Sequence, residues 1–84
     1  MEQLPQPNFE ILVSTFATQA AVGLGQIANP TTNKTDVDLR QAKFAIDILQ
    51  VLEEKSNGNR TKEEDEYLSG VLYELRMVYI DKSK

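Results

Sequence analysis

The 84-residue chain contains no cysteine and no histidine, the residues that stabilise many small proteins through disulfides or bound metals. Without cysteine no disulfide can form, and without either residue the common ligands of zinc and other transition metals are missing. A chain of this length forms one domain with a thin core, and such domains usually need disulfides, metals or oligomerisation to offset the entropy lost on folding. We therefore expect very regular helix packing, association with a second chain, or both.

Basic residues are fewer than acidic residues. The chain has 9 lysine and arginine residues against 13 aspartate and glutamate residues, which gives a net charge of −4. The basic residues are scattered and form no run. Proteins that bind nucleic acids draw most of their affinity from neutralised phosphates, so an acidic chain without a basic patch is a poor candidate. We expect no nucleic-acid partner.

The sequence contains no recognisable catalytic motif. Nucleophile–base pairs need a base that titrates near neutral pH, which histidine or cysteine usually supplies, and the glycines lack the spacing of a phosphate-binding loop. The run Glu63–Glu66 is the one dense carboxylate cluster and suggests a calcium or magnesium site. However, consecutive helical residues point in different directions, and acidic residues in a first turn complement the helix dipole. We expect no enzyme activity, no cofactor and no metal.

An apolar stretch, Phe9–Ala28, raises the question of membrane targeting. Six polar or charged residues interrupt it, and no lysine or arginine precedes it. A signal peptide needs a basic start, and a membrane span needs about 20 predominantly apolar residues. We expect no membrane span and a cytoplasmic protein. The alternative is a peripheral membrane or complex adaptor that acts through the first helix, although that helix lacks the basic face such helices use.

Helical spacing of apolar residues predicts an all-α chain of three helices and no strand. The first helix covers about residues 9–27, with Asn8 as its N-cap. Gly25 is a place where this helix can begin to unwind, and Asn29-Pro30 forces an extended or turn geometry.

The second helix covers about residues 39–56. Asp38 can accept the free amides of its first turn, and Gln41 lies three residues further on, in the position of a capping box. The segment Asn57-Gly58-Asn59 ends the helix, with Gly58 free to adopt a positive φ.

The third helix covers about residues 62–80 and opens with a second capping-box pattern, Thr61 and Glu64. The short linker before it predicts that the second and third helices form an antiparallel αα-hairpin. We expect a single helical domain over residues 8–80, between a disordered lead-in (1–7) and a disordered tail (81–84).

The second and third helices carry more apolar surface than a three-helix monomer can bury. Besides the face directed to the core, each has a second apolar stripe with the spacing i, i+4 and i+7, which helix-in-groove association uses. A glycine beside the stripe of the third helix would let another backbone approach closely. Alternatively, the surplus residues are simply exposed. We favour a homodimer or another helical partner, and the candidate interface consists of Phe44, Ile48, Val51, Gly70, Tyr73, Met77 and Ile80.

Several short motifs follow one another along the chain. They are Leu24-Gly25, Ile27, Asn29-Pro30, Leu52-Glu53-Glu54-Lys55, Gly58-Asn59, Thr61, Leu72-Tyr73-Glu74-Leu75-Arg76 and Tyr79. Together these motifs resemble a bacterial family of small all-helical proteins described as a domain of unknown function, over roughly Phe9 to Tyr79. Its members often have glycine where this chain has Asn33, and asparagine also tolerates left-handed geometry. The resemblance implies a helical protein and supplies no activity, cofactor or site.

Overall fold

A computed structural model describes Leu4 and residues 6–84 of the chain. These residues form three helices and no strand: α1 (Phe9–Gly23), α2 (Leu39–Lys55) and α3 (Lys62–Lys82). The predicted all-α fold is therefore confirmed. Within the predicted lead-in, residues 1–3 and 5 lie outside the described part. At the other end α3 continues two residues beyond its predicted end at Ile80.

Each helix begins at the N-cap that the sequence predicts. Asn8 Oδ1 accepts a hydrogen bond of 2.8 Å from the backbone N–H three residues further on. Thr61 and Glu64 form a complete capping box, with bonds of 3.1 and 2.8 Å. The box expected for Gln41 is not formed, although the Asp38 carboxylate does cap α2. The reason is that the N–H of Asp38 already donates, at 2.7 Å, to a carbonyl at the end of α1.

The first helix ends at Gly23, four residues earlier than predicted. Gly25 adopts a φ of +77° and reverses the chain. As a result the N–H of Gln26 donates to the Ala21 carbonyl at 2.9 Å and the N–H of Gly25 to the Val22 carbonyl at 3.0 Å. This is the Schellman pattern, which satisfies the last free carbonyls of a helix. The prediction of a helix to residue 27 is wrong because the apolar spacing continues past the turn.

The end of α1 touches the beginning of α2 backbone to backbone. A Cβ atom added to Gly23 would lie 2.7 Å from the Ala42 nitrogen and 3.0 Å from the Asp38 carbonyl oxygen. Real Cβ atoms do not approach other atoms that closely, so only glycine fits here without a shift of the backbone. The contact fixes how α1 crosses α2.

All three helices contribute to one apolar core, and α2 supplies its centre. No charged or polar side chain of the described residues is buried in it. In the part of the chain that the structure covers, none of the helices has the length and hydropathy to cross a membrane. The buried cluster consists of Val13, Ala20, Leu24, Ala42, Ala45, Ile46, Leu49, Leu68, Leu72 and Leu75.

The molecule is flat. Its Cα atoms extend over 40 × 35 × 16 Å, and the short dimension corresponds to about two layers of helices, because packed helix axes lie about 8–10 Å apart and the Cα atoms lie about 2.3 Å from each axis. The radius of gyration is 13.5 Å, whereas a compact chain of this length has one of about 12 Å. The accessible surface is 6260 Å², against about 5,000 Å² for a compact monomer of 9.5 kDa. Part of this additional surface belongs to residues 30–38 between α1 and α2, which are all exposed, and part to the exposed faces of the helices.

One arginine ties the α2–α3 hairpin together. The Arg60 guanidinium donates to the Glu53 carbonyl at 2.6 Å and to Ser56 Oγ at 2.9 Å, near the end of α2. It also donates to Asp65 in the first turn of α3 at 3.0 Å. Only 13% of the Arg60 side chain is exposed. No local sequence pattern predicts this role of Arg60, because its partners come from two helices.

Candidate interaction surface on the third helix

The seven residues of the predicted interface remain largely uncovered within the chain. Ile48 is half-buried, and the other six are exposed. The exposed fractions of the large side chains are 66% for Phe44, 52% for Val51, 63% for Tyr73, 53% for Met77 and 56% for Ile80.

The predicted residues belong to two separate surfaces. On α2, Lys43, Asp47 and Gln50 line a groove that faces α3. The residues one position later, Phe44, Ile48 and Val51, form what we call the α2 stripe. Because each helical residue turns the direction by about 100°, the α2 stripe points away from α3. The structure does not bring it together with the apolar residues of α3.

Three of the exposed apolar side chains of α3, Tyr73, Met77 and Ile80, form what we call the α3 stripe. Ile80 also lines the groove between α2 and α3, so the stripe and the groove are continuous. This groove has a volume of about 250 Å³, and residues from the beginning of α2 meet residues from the end of α3 in it, as expected of an antiparallel hairpin. Its full lining is Lys43, Ile46, Asp47, Gln50, Arg76, Tyr79 and Ile80.

The charges along the groove are partly neutralised. Lys43 Nζ lies 2.7 Å from Asp47 Oδ2, and the hydrogen bond that it donates to this carboxylate raises the pKa of Lys43. Both side chains are more than half exposed, so the pair contributes little to stability. Within the described residues the ion pairs are this one and Arg60–Asp65, and neither involves Arg76. The groove thus offers apolar walls, one satisfied pair and one cation available to a partner.

Gly70 lies beside the α3 stripe, one helical turn before Tyr73. Apart from its own turn of α3, no heavy atom in the described part of the chain lies within 4 Å of the place where a Cβ would be. Glycine in the interior of a helix costs about 1 kcal/mol relative to alanine. No contact inside the described part of the chain requires a glycine at this position.

The acidic first turn of α3 has structural partners. Glu64 completes the capping box with Thr61, and Asp65 binds Arg60. Among the residues that the structure describes, no three acidic side chains converge as metal ligands would. The geometry agrees with the structural interpretation of this cluster, in which it caps and complements the helix end. This leaves the α3 stripe with its groove as the candidate interaction surface.

Comparison with known proteins identifies a family. The family model with the description "Domain of unknown function (DUF1844)" matches residues 6–81, nearly the whole chain. Searches of the curated proteins and of the solved structures found no match. The predicted resemblance to a domain of unknown function is confirmed.

Proposed function

The chain belongs to the DUF1844 family, and we propose that it is a non-catalytic helical interaction module that self-associates, as a homodimer, through the α3 stripe. The observation that carries the proposal is the exposure of Tyr73, Met77 and Ile80, each more than half accessible in the single chain. Contiguous exposed apolar side chains beside a groove are a mark of interaction sites.

The thin core supports the same conclusion. The buried cluster is small and includes three alanines, Ala20, Ala42 and Ala45, and the chain lacks the disulfides and the common metal ligands that stabilise other small domains. Apolar burial contributes about 25 cal/mol for each Å² removed from water. Covering the α3 stripe with a second copy therefore supplies stability that the single chain lacks, and association raises the apparent stability by mass action.

The chemistry of the groove supports a role without catalysis. Its lysine and aspartate are paired with each other, and no histidine or cysteine exists to act as a base or nucleophile near neutral pH. Helix-in-groove recognition needs only apolar anchors and a polar rim, and both are present here. The cytoplasmic location expected from the sequence stays a prediction, which cell fractionation can check.

The alternative role as a membrane or complex adaptor through α1 has less support. The apolar face of α1 packs into the core, where Val13 and Ala20 are fully buried. Among the large apolar side chains of α1, Leu12 is the exposed one, at 42%. A helix whose apolar face is already used has little left to insert into a membrane surface.

Sedimentation equilibrium across the micromolar range tests the proposed function. We expect an average mass that rises with concentration from the 9.5 kDa of one chain towards twice that value. A mass that stays at the single-chain value at every concentration would contradict self-association. The same samples should bind neither duplex DNA nor anionic vesicles at low salt, which separates this proposal from the nucleic-acid and membrane classes.

A further inference from the structure

We propose that the second copy docks its own α3 antiparallel against the α3 stripe, so that Gly70 of one copy receives the partner's Ile80 and Tyr73 packs on the partner's Met77. This inference rests on the proposed function and specifies the geometry of the same surface. By two-fold symmetry each of these contacts occurs twice, which is the usual arrangement of a homodimer.

The spacing of the exposed residues fits a helix seam. Gly70, Tyr73, Met77 and Ile80 follow one another at intervals of three, four and three residues, which is the a/d pattern of a coiled coil. The same intervals lead back to Glu66, which is exposed, whereas α3 ends at Lys82, before the next position of the seam. In an antiparallel pair, residues from one end of the seam face residues from the other end.

The two halves of the seam are complementary in size. The open position at Gly70 has the room to take a large side chain, and Ile80 projects a large side chain that is 56% exposed. The loss of helix propensity that a glycine causes inside α3 then has a reason, which the single chain does not provide. In the central layers the ring of Tyr73 meets the sulfur of the partner's Met77, and sulfur–aromatic contacts of this kind are favourable.

Charge decides between the antiparallel and the parallel orientation. The beginning of α3 carries the acidic run Glu63–Glu66, whereas at the other end the two lysines Lys82 and Lys84 outnumber Asp81. An antiparallel pair places each acidic end beside the partner's net basic end and opposes the two helix dipoles favourably. A parallel pair would bring the two acidic runs together, which is unfavourable.

The size of the contact indicates a reversible dimer. From Glu66 to the end of α3 at Lys82 the seam is about 24 Å long at 1.5 Å per residue. A single helix pair of this length, with the rim of the groove, belongs at the small end of specific interfaces, about 1,200 Å² in total. Near the two-fold axis Arg76 faces the partner's Arg76, and Asp47 in the same groove offsets only part of that repulsion. We therefore expect dissociation in the micromolar range.

Disulfide trapping tests the orientation, and the natural absence of cysteine leaves the experiment without background thiols. The variants Tyr73→Cys and Met77→Cys are oxidised separately and as an equimolar mixture, and the products are separated by mass. An antiparallel seam brings position 73 opposite position 77, within the Cα separation of about 7 Å that a disulfide tolerates. Identical positions are further apart, by about 6 Å along the axis.

The expected result is that the mixed disulfide, which joins position 73 of one copy to position 77 of the other, forms at least tenfold faster than either symmetric disulfide. The variant Phe44→Cys, on the α2 stripe, is the control and should crosslink only at the collision rate. If wild type dimerises but the symmetric disulfide of Met77→Cys dominates, or the mixed disulfide does not exceed the control, the antiparallel seam is wrong and self-association stands. If wild type is monomeric in sedimentation, the proposed function fails together with this inference.

Discussion

Two glycines inside helices mark the two sides of this molecule. At Gly23 an added methyl group would lie 2.7 Å from a backbone nitrogen of α2, whereas at Gly70 it would meet nothing within 4 Å. The first position is fitted to a neighbour in the same chain, and the second has no such neighbour among the described residues. The α1–α2 contact is therefore complete in one chain, whereas the outer side of α3 has room for a contact with a second chain.

We expect the largest effect on stability from Gly23→Ala, which tests the α1–α2 contact. The added methyl must push apart two helix backbones, and overpacking of this kind typically costs about 1–3 kcal/mol, more than the gain of up to about 1 kcal/mol in helix propensity. We expect a clear loss in the free energy of unfolding, measured by urea denaturation at a concentration low enough to keep the chain monomeric.

Gly70→Ala is the matched control for that experiment. In the monomer it should raise the free energy of unfolding by about 0.5–1 kcal/mol, because the methyl meets open space and alanine favours the helix. If both substitutions changed monomer stability in the same direction, Gly23 and Gly70 would not differ in their packing as described.

We expect the next largest effect from Met77→Glu, which tests dimerisation through the α3 stripe. A charge in the middle of the α3 stripe should raise the dissociation constant at least tenfold, or about 1.4 kcal/mol, because burying an unpaired carboxylate is costly. Helix content by circular dichroism should stay unchanged. Phe44→Glu and Ile48→Glu place the same charge on the α2 stripe and should weaken assembly less. If all three substitutions weakened the dimer equally, the interface would include the α2 stripe as well as the α3 stripe.

A smaller effect is expected where α3 is tied to α2. Arg60→Ala removes hydrogen bonds to Glu53, Ser56 and Asp65. Because Asp65 is more than half exposed, we expect a loss of only about 1 kcal/mol in the free energy of unfolding. Arg60→Lys should recover only part of it, since a single ammonium cannot reproduce the planar fork. Full recovery with lysine would mean that charge alone matters here.

The smallest effect belongs to the Lys43–Asp47 pair on the rim of the groove. Its hydrogen bond raises the pKa of Lys43 above the ordinary value of 10.5. The folded state therefore holds this proton more tightly than the unfolded state, so the contribution is present below pH 10.5 and is lost as the pH rises through the raised folded pKa. The difference in stability between wild type and Lys43→Met should be slight at about pH 9 and shrink further at higher pH. A difference that grows with pH would contradict this assignment.

Local signals were enough to predict the helices and where they begin. Asn8, Asp38 and Thr61 all cap helices because a cap depends only on residues within one turn. The left-handed φ values of Asn33 and Gly58, +58° and +87°, also follow from residue type in a turn. These features need no knowledge of tertiary structure.

Features that depend on tertiary contacts were missed. The close approach at Gly23 arises only when α1 crosses α2, and the network of Arg60 spans two helices. The candidate interface was predicted as one set of residues, yet it divides into two surfaces that point in different directions. A signal for this division was present, because each residue of the α2 stripe follows directly after one of the polar residues Lys43, Asp47 and Gln50, which line the groove towards α3.

Hydroxyl-radical footprinting over a range of protein concentrations tests the central claim most directly, since it reports which side chains water reaches. If a second copy covers the α3 stripe, oxidation of Met77 and Tyr73 should slow as the concentration rises through the micromolar range, while oxidation of Phe44 stays constant. Oxidation of Met77 at one unchanged rate across that range would contradict the account.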